Sequence, residues 1–277
     1  MNIFKKLFNL FSKPKKAAPP KLKNYGWKRD LPDSRDRKFK VGRPVSLPPS
    51  VDLRKHCPPV YDQLELGSCT ANALGAAFQY EQMKHEKPDF IPSRLFIYYN
   101  ERVMEGTIKE DSGAMIRTGI KTMVKEGVCP EKMWKYKTWK FKKPPPPNCY
   151  KEGLNNQVLE YLRISPHTLY GVKKCLHNGF PISFGFMIFE SMMSDNVAKT
   201  GEVPIPGPSE QPMGGHAVLA VGYDDERKCL LVRNSWGKNW GIGGYFWLPY
   251  YFVSEPNMSA DYWTIRMVES ENEAADE

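Results

Sequence analysis

The chain has 277 residues, 41% of them apolar and 26% charged, the make-up of a folded protein with a sizeable core rather than of a disordered or fibrous chain. No stretch approaches the roughly 18 uninterrupted apolar residues of a spanning helix. The net charge of +9 is unevenly placed: residues 1–50 hold 14 Lys and Arg against 3 Asp, or +11, while residues 51–277 hold 26 against 28, or −2. The basic character belongs to one N-terminal segment, which argues against specific nucleic-acid recognition by the globular part.

Taken in chain order, the first eleven residues put Ile3, Phe4, Leu7, Phe8 and Phe11 on one helical face. Lys5, Lys6 and Asn9 interrupt any apolar run, so no cleavable secretory signal is expected. Three readings stay open for this stretch: a helix lying on an anionic membrane or other polyanion, a helix packed on the protein's own surface, or a frayed terminus. Residues 12–21 are a Pro/Lys linker unable to build a core. From 24 to 49, Tyr25, Trp27, Phe39 and the Leu31-Pro32-Asp33 turn predict a segment ordered against something.

Gln63 to Leu74 is the most informative stretch. A turn-like Gly67-Ser68 pair hands over to Cys69, and behind it Leu74, Ala77 and Phe78 recur at helical spacing as far as about His85. Cys69 is thus expected at a helix N-terminus, where unpaired N–H groups and the macrodipole favour the thiolate. Ser93 predicts a cap for a helix reaching Met104, with Leu95, Phe96, Tyr99 and Val103 on one face. Asp111-Ser112-Gly113 predicts the opening of a further helix to Lys125, ended by Gly127, with Met115, Ile116, Ile120, Met123 and Val124 inward. Pro144 to Pro147 predict an exposed rigid loop, near which Trp134, Tyr136, Trp139 and Phe141 cover core or line a junction between lobes.

Beyond a short helix from Leu169 to Asn178 the period turns to strands: Ile182–Ile188, then runs headed by His216, Leu230 and Gly244. A helical first half and a β-rich second half imply an α+β protein of two lobes with a site in the cleft between them. The tail from Glu269 to Glu277 is acidic and reads as disordered.

Cys69, His216 in Gly215-His216-Ala217-Val218, and Asn234 in Asn234-Ser235-Trp236-Gly237 are the parts of a thiolate–imidazolium pair with an orienting amide. These motifs resemble those of the papain/cathepsin cysteine proteases, nearest the bacterial and viral cathepsin-like branch. His216 follows Cys69 by 147 residues, within the spacing of that family. The resemblance covers roughly residues 47–267. It implies a papain-like fold with a helical lobe and a β-barrel-like lobe, and a cysteine endopeptidase acting on protein or peptide substrates, since no paired-histidine exopeptidase loop is found. It further implies Cys69 as nucleophile, His216 as base and acid, Asn234 as orienting group and Gln63 as oxyanion donor. Gly67, Ser68, Ser112, Gly113, Gly215 and Trp236 would line or shield the substrate cleft. No cofactor and no metal are called for, and a monomer is expected.

Leu47 to Arg54 looks like the start of the mature family enzymes, so the resemblance divides the chain into a basic extension (1–23), a propeptide-like segment (24–50), a peptidase domain (51–268) and an acidic tail (269–277). Residues 24–50 would then inhibit a zymogen, or merely wrap the domain. The family's cysteine three residues before the nucleophile is Leu66 here, and Thr70 replaces the usual aromatic after it. Without Cys69, the remaining Cys57, Cys129, Cys149, Cys175 and Cys229 are an odd five, which with the missing signal suits a chain made in a reducing compartment, the cytoplasm or a virion. Rival readings are a catalytically silent papain-fold peptide binder and a membrane- or polyanion-tethered cysteine acyl transferase or deamidase.

Overall fold

The computed structural model describes Ala18 and residues 24–165 and 169–268. The amphipathic helix expected within residues 1–11, all of the Pro/Lys linker but Ala18, and the acidic tail lie outside the described residues. The chain enters through two short strands, β1 (Trp27–Lys28) and β2 (Ser50–Asp52). A helical lobe follows: α1 (Cys69–Lys84), α2 (Arg94–Met104), the two-residue strand β3 (Ala114–Met115), α3 (Ile116–Lys125) and the short α4 (Pro147–Gly153). The second lobe is built from β4 (Val158–Arg163), α5 (Leu169–His177), β5 (Ile182–Phe189), α6 (Asp195–Thr200), β6 (Pro212–Asp224), β7 (Cys229–Arg233), β8 (Tyr245–Pro249), α7 (Tyr251–Ser254) and β9 (Ser259–Val268).

Helix α1 is the beam between the lobes. Every residue from Cys69 to Gln82 is buried, so its sequence shows no polar stripe, as expected of a helix enclosed on all sides. Small residues make this enclosure feasible: Ala71, Ala73, Gly75, Ala76 and Ala77 let neighbouring elements approach the backbone closely. Leu74 and Phe78 share one core with Ile120 and Met123 of α3 and with Leu219, Val221, Trp263 and Ile265 of the sheet.

The main sheet runs β4-β9-β5-β6-β7-β8, with β2 added on β6, and all its pairings are antiparallel. Alternation along β6 divides the interior: Ala217, Leu219 and Val221 face α1, while Val218 and Ala220 join Phe184, Phe186, Leu230 and Val232 in a second core. Buried on both faces, β6 reads as a continuous apolar run. His216 precedes Ala217, whose backbone lies within reach of the Cys69 sulfur, so the histidine stands at the end of the helix that begins with Cys69. Among the described residues, no helix is long and apolar enough to cross a membrane.

Several expectations are corrected. The helix predicted from Asp111 begins at Ile116, because Ala114 and Met115 are taken up in parallel pairing with Trp27 and Lys28. Val103 and Val124 point outward, at 50% and 36% exposure; in α2 Ile97 and Tyr98 take the core face and in α3 Met123 does. Trp139 is 64% exposed and covers neither core nor lobe junction. Of the proline run only part is loop: Pro145 is buried and Pro147 opens α4, where a missing N–H costs nothing. His216 lies well inside a strand that begins at Pro212.

Candidate active site

Cys69 is the first residue of α1, preceded by Ser68 as a cap whose side chain makes no capping bond. The Ser68 hydroxyl instead meets the Tyr136 hydroxyl at 2.7 Å and receives the Asn72 amide, so it faces into the helical lobe. The Cys69 sulfur is fully buried, within reach of backbone groups of Ala217, Gly26 and Thr70. Burial pushes the thiol up to about 12, and the buried Glu101 carboxylate adds to this against the backbone groups. Burial thus works against the helix N-terminus, because a charged sulfur would have to sit without water.

His216 is 1% exposed, and its Nε2 lies 2.9 Å from Asn234 Oδ1. The same oxygen accepts from the Ser235 N–H at 2.8 Å, which fixes the amide orientation. An oxygen can only accept, so Nε2 carries the proton and Nδ1 is left to exchange protons with a partner. Trp236 stacks on the imidazole at 4.8 Å between ring centroids and 23° between planes, and Trp240 meets Trp236 edge-on. Burial pushes His216 down to about 4, with the Asn234 bond acting in the opposite direction.

Gln63 is buried and anchored at three points. Its N–H donates to the Ser235 carbonyl at 2.8 Å, its Oε1 accepts from the Ser235 hydroxyl at 2.6 Å, and its Nε2 donates to Leu66 O at 2.9 Å. One Nε2 hydrogen is thus used in holding the loop, and one is left over. Thr70 donates to the buried Glu101 carboxylate at 2.9 Å, which explains a hydroxyl where the family resemblance would place an aromatic ring.

The loop before Cys69 has no disulfide, and all six cysteines are free thiols. Its brace is Asp111, whose two carboxylate oxygens each accept from the Gly67 N–H at 3.1 Å. Tyr98 donates its hydroxyl to the same carboxylate and accepts from the Gly113 N–H at 3.1 Å. The Ser112 hydroxyl donates to Thr107 at 2.8 Å. Gly113 has φ +67, a conformation that suits glycine.

The cleft is filled by the chain's own N-terminal segment. Gly26 O accepts from the Ala114 N–H at 2.8 Å, and Trp27 and Lys28 pair in parallel with β3. Tyr25 lies over Gly214, Gly26 is pinched between Gly67 and Gly113, and Trp27 lies against Gly185 and Gly215. A Cβ on Gly26 would stand 1.8 Å from Gly67 O, so only glycine fits there. Beyond it, Asp30 accepts from the Trp263 indole N–H at 2.8 Å and from the Arg117 N–H at 3.1 Å. Asp36 pairs with Arg117 at 2.9 Å and Arg163 at 2.6 Å.

The structure thus brings Gln63, Cys69, His216 and Asn234 to one end of α1. Gly67, Gly113 and Gly215 lie along the N-terminal segment, whereas Ser68 and Trp236 face the lobe interiors. Sequence reasoning missed Asp111, Gly185, Asp261 and the placement of residues 25–27. A missing cysteine at Leu66 and an aspartate set in the aromatic run Tyr262-Trp263 were the available signals.

The papain family cysteine protease pattern matches residues 47–255. An uncharacterised peptidase C1-like protein of Acanthamoeba polyphaga mimivirus is 43% identical over 272 residues, covering 89% of this chain and 88% of that protein. The crystal structure of xylellain, a cysteine protease from Xylella fastidiosa, is 43% identical with a TM-score of 0.83, covering 91% of this chain and 98% of that one. A procathepsin B of Trypanosoma congolense shares the fold at 16% identity, with a TM-score of 0.70 and coverage of 88% of this chain and 86% of that one.

Proposed function

This chain belongs to the papain family of cysteine proteases, and on that premise we propose that it is a cysteine endopeptidase held closed by its own residues 24–30. Its substrates are proteins or peptides. The observation that carries the closed state is Gly26, seated on Cys69 between Gly67 and Gly113.

In the opened enzyme the Cys69 sulfur attacks a peptide carbonyl carbon. His216 takes the thiol proton and passes it to the departing amine as the C–N bond breaks, leaving a thioester. Water then attacks the thioester carbonyl, its proton returning through His216 to the sulfur. Asn234 keeps the imidazole in one tautomer and orientation without adding a charge. The free Nε2 hydrogen of Gln63 and the Cys69 N–H meet the developing oxyanion, each donor contributing about 3–4 kcal/mol to lowering the barrier.

The test is hydrolysis of a mixed fluorogenic peptide library by the full chain, by Gly26→Ala, and by Gly26→Ala combined with Cys69→Ala. The expected result is little activity in the first, at least about tenfold more in the second and none in the third, since a methyl at Gly26 cannot be accommodated. Equal activity in the first two would remove the inhibitory role of the segment. An untouched library with Cys69 still open to alkylation would remove the peptidase reading.

A further inference from the structure

One surface loop of the helical lobe carries a charge pattern that the cleft does not use. Residues 132–143 hold six lysines and no Asp or Glu. Lys132, Lys135, Lys137, Lys142 and Lys143 are exposed. Among the described residues none of the six, Lys140 included, has an ion-pair partner. Trp139, in their midst, is 64% exposed. Like charges held this close repel one another and destabilise the compact state, and an exposed indole adds nothing to a core. The pattern is directed outward, to a partner that takes both positive charge and an aromatic ring.

The loop is held from beneath, so the surface it offers is fixed. The Ser93 hydroxyl donates to Trp134 O at 2.7 Å, the Tyr136 hydroxyl to Gln63 O at 2.8 Å, and the Arg102 guanidinium to Phe141 O. Between these anchors a single 3₁₀ turn, Thr138–Lys140, carries Trp139 outward. Lys143 Nζ lies over its ring at 4.9 Å from the centroid, and Lys140 Nζ at 5.5 Å. This arrangement separates anionic partners from one another. A nucleic-acid base stacks on a free aromatic face, whereas ammonium groups already lie over this ring. A bilayer interface takes the ring among its headgroups, with the ammonium groups beside it meeting phosphate and carboxylate.

We propose that residues 132–143 form a docking surface for an anionic bilayer, with Trp139 entering the headgroup layer and the exposed lysines lying against its negative charge. This surface is distinct from the basic residues 1–23, and it does not depend on the peptidase reading. Each lysine close to such a leaflet strengthens binding by roughly fivefold.

The test is cosedimentation of the full chain with vesicles of phosphatidylcholine alone and of phosphatidylcholine with about one-third phosphatidylserine. The natural chain should bind the second and not the first, and the binding should persist when Lys5→Glu and Lys6→Glu are added. Lys142→Gln with Lys143→Gln should weaken it by about thirtyfold. Trp139→Ala should weaken it by about tenfold, and Trp139→Phe should keep most of it. All three side chains are exposed, so thermal melts of these variants should match the parent. Failure of the natural chain to bind the phosphatidylserine vesicles would overturn the proposal, as would binding that the loop substitutions leave unchanged. A loss on changing the lysines with none at Trp139→Ala would also overturn the bilayer, leaving an ionic contact alone. Binding of a single-stranded oligothymidylate in place of vesicles would overturn it in favour of a nucleic acid.

Discussion

The N–H of Gly67 donates to both carboxylate oxygens of Asp111, at 3.1 Å each, and this contact stands where a disulfide would otherwise tie the nucleophile loop to the cleft wall. Tyr98 completes the brace by donating to the same carboxylate while accepting from Gly113. Asp111→Ala leaves the Gly67 N–H and the Tyr98 hydroxyl without their acceptor. It is expected to cost about 2–3 kcal/mol of stability and to lower kcat more than it raises KM. Denaturant unfolding and peptide kinetics in the Gly26→Ala background check this. An unfolding midpoint unchanged from the parent would show that the loop needs no such brace.

Gln63 is bound to Ser235 through both its main-chain N–H and its side-chain oxygen. The loop that ends in Cys69 and the loop that carries Asn234 are therefore one unit, although 172 residues separate Gln63 from Ser235. Gln63→Ala should lower kcat by about 10²–10³ with little change in KM. Ser235→Ala leaves the donor present and loosens it, so a smaller fall in kcat is expected, about tenfold for one lost hydrogen bond. A Gln63→Ala enzyme within about threefold of its parent would remove Gln63 from the oxyanion site.

How much of this was legible in the sequence follows from distance along the chain. Gln63, Cys69, His216 and Asn234 stand in short motifs at fixed spacings, so they could be named from their neighbours, and α1 declared itself through Leu74, Ala77 and Phe78. The ionisation of the pair could not be read that way. Whether Cys69 is thiol or thiolate depends on what covers it, and the cover is Gly26, forty-three positions upstream and tied to Ala114. Asp261 was hidden for a different reason, since strand periodicity cannot announce a bulge that turns one side chain against the alternation. The late start of α3 has the same origin: Ala114 and Met115 are strand only because Trp27 and Lys28 pair with them. The local signal at Asp111 to Gly113 had no way to contain that partner.

Thr70 and Glu101 give a prediction separate from catalysis. Burial pushes the Glu101 carboxyl up to about 8, with the Thr70 hydroxyl bond opposing that shift. A raised carboxyl means that the folded protein favours the neutral form, so stability is largest at low pH and is lost as pH rises from about 4.5 through 8. Glu101→Gln keeps an acceptor for Thr70 and removes the titration. It should be more stable than the parent at pH 8 and equal to it near pH 4. Thermal melts of the two proteins across that range measure the difference, and parallel curves would show that Glu101 does not carry the penalty.

Two groups in the closed cleft respond to acid in opposite senses. His216 is pushed down to about 4 by burial, so the closed form resists protonation; its contribution to closure is full above about 6.5 and shrinks as pH falls toward 4. Asp30 is pushed up, first by burial and then by the neighbouring Asp261, against its bonds from Trp263 and Arg117. The closed form therefore binds a proton at Asp30 more readily than the open one, and this contribution grows as pH falls toward the ordinary carboxylate range. The two oppose each other in the parent protein. Asp30→Asn leaves only the histidine and should open as the solution is acidified, while closing more firmly than the parent at pH 7. His216→Phe leaves only Asp30 and should close further over the same range. Hydrogen exchange of the amides of residues 24–30 reads closure directly, without depending on the reactivity of Cys69. Identical pH profiles for the parent and both variants would show that neither group controls the segment.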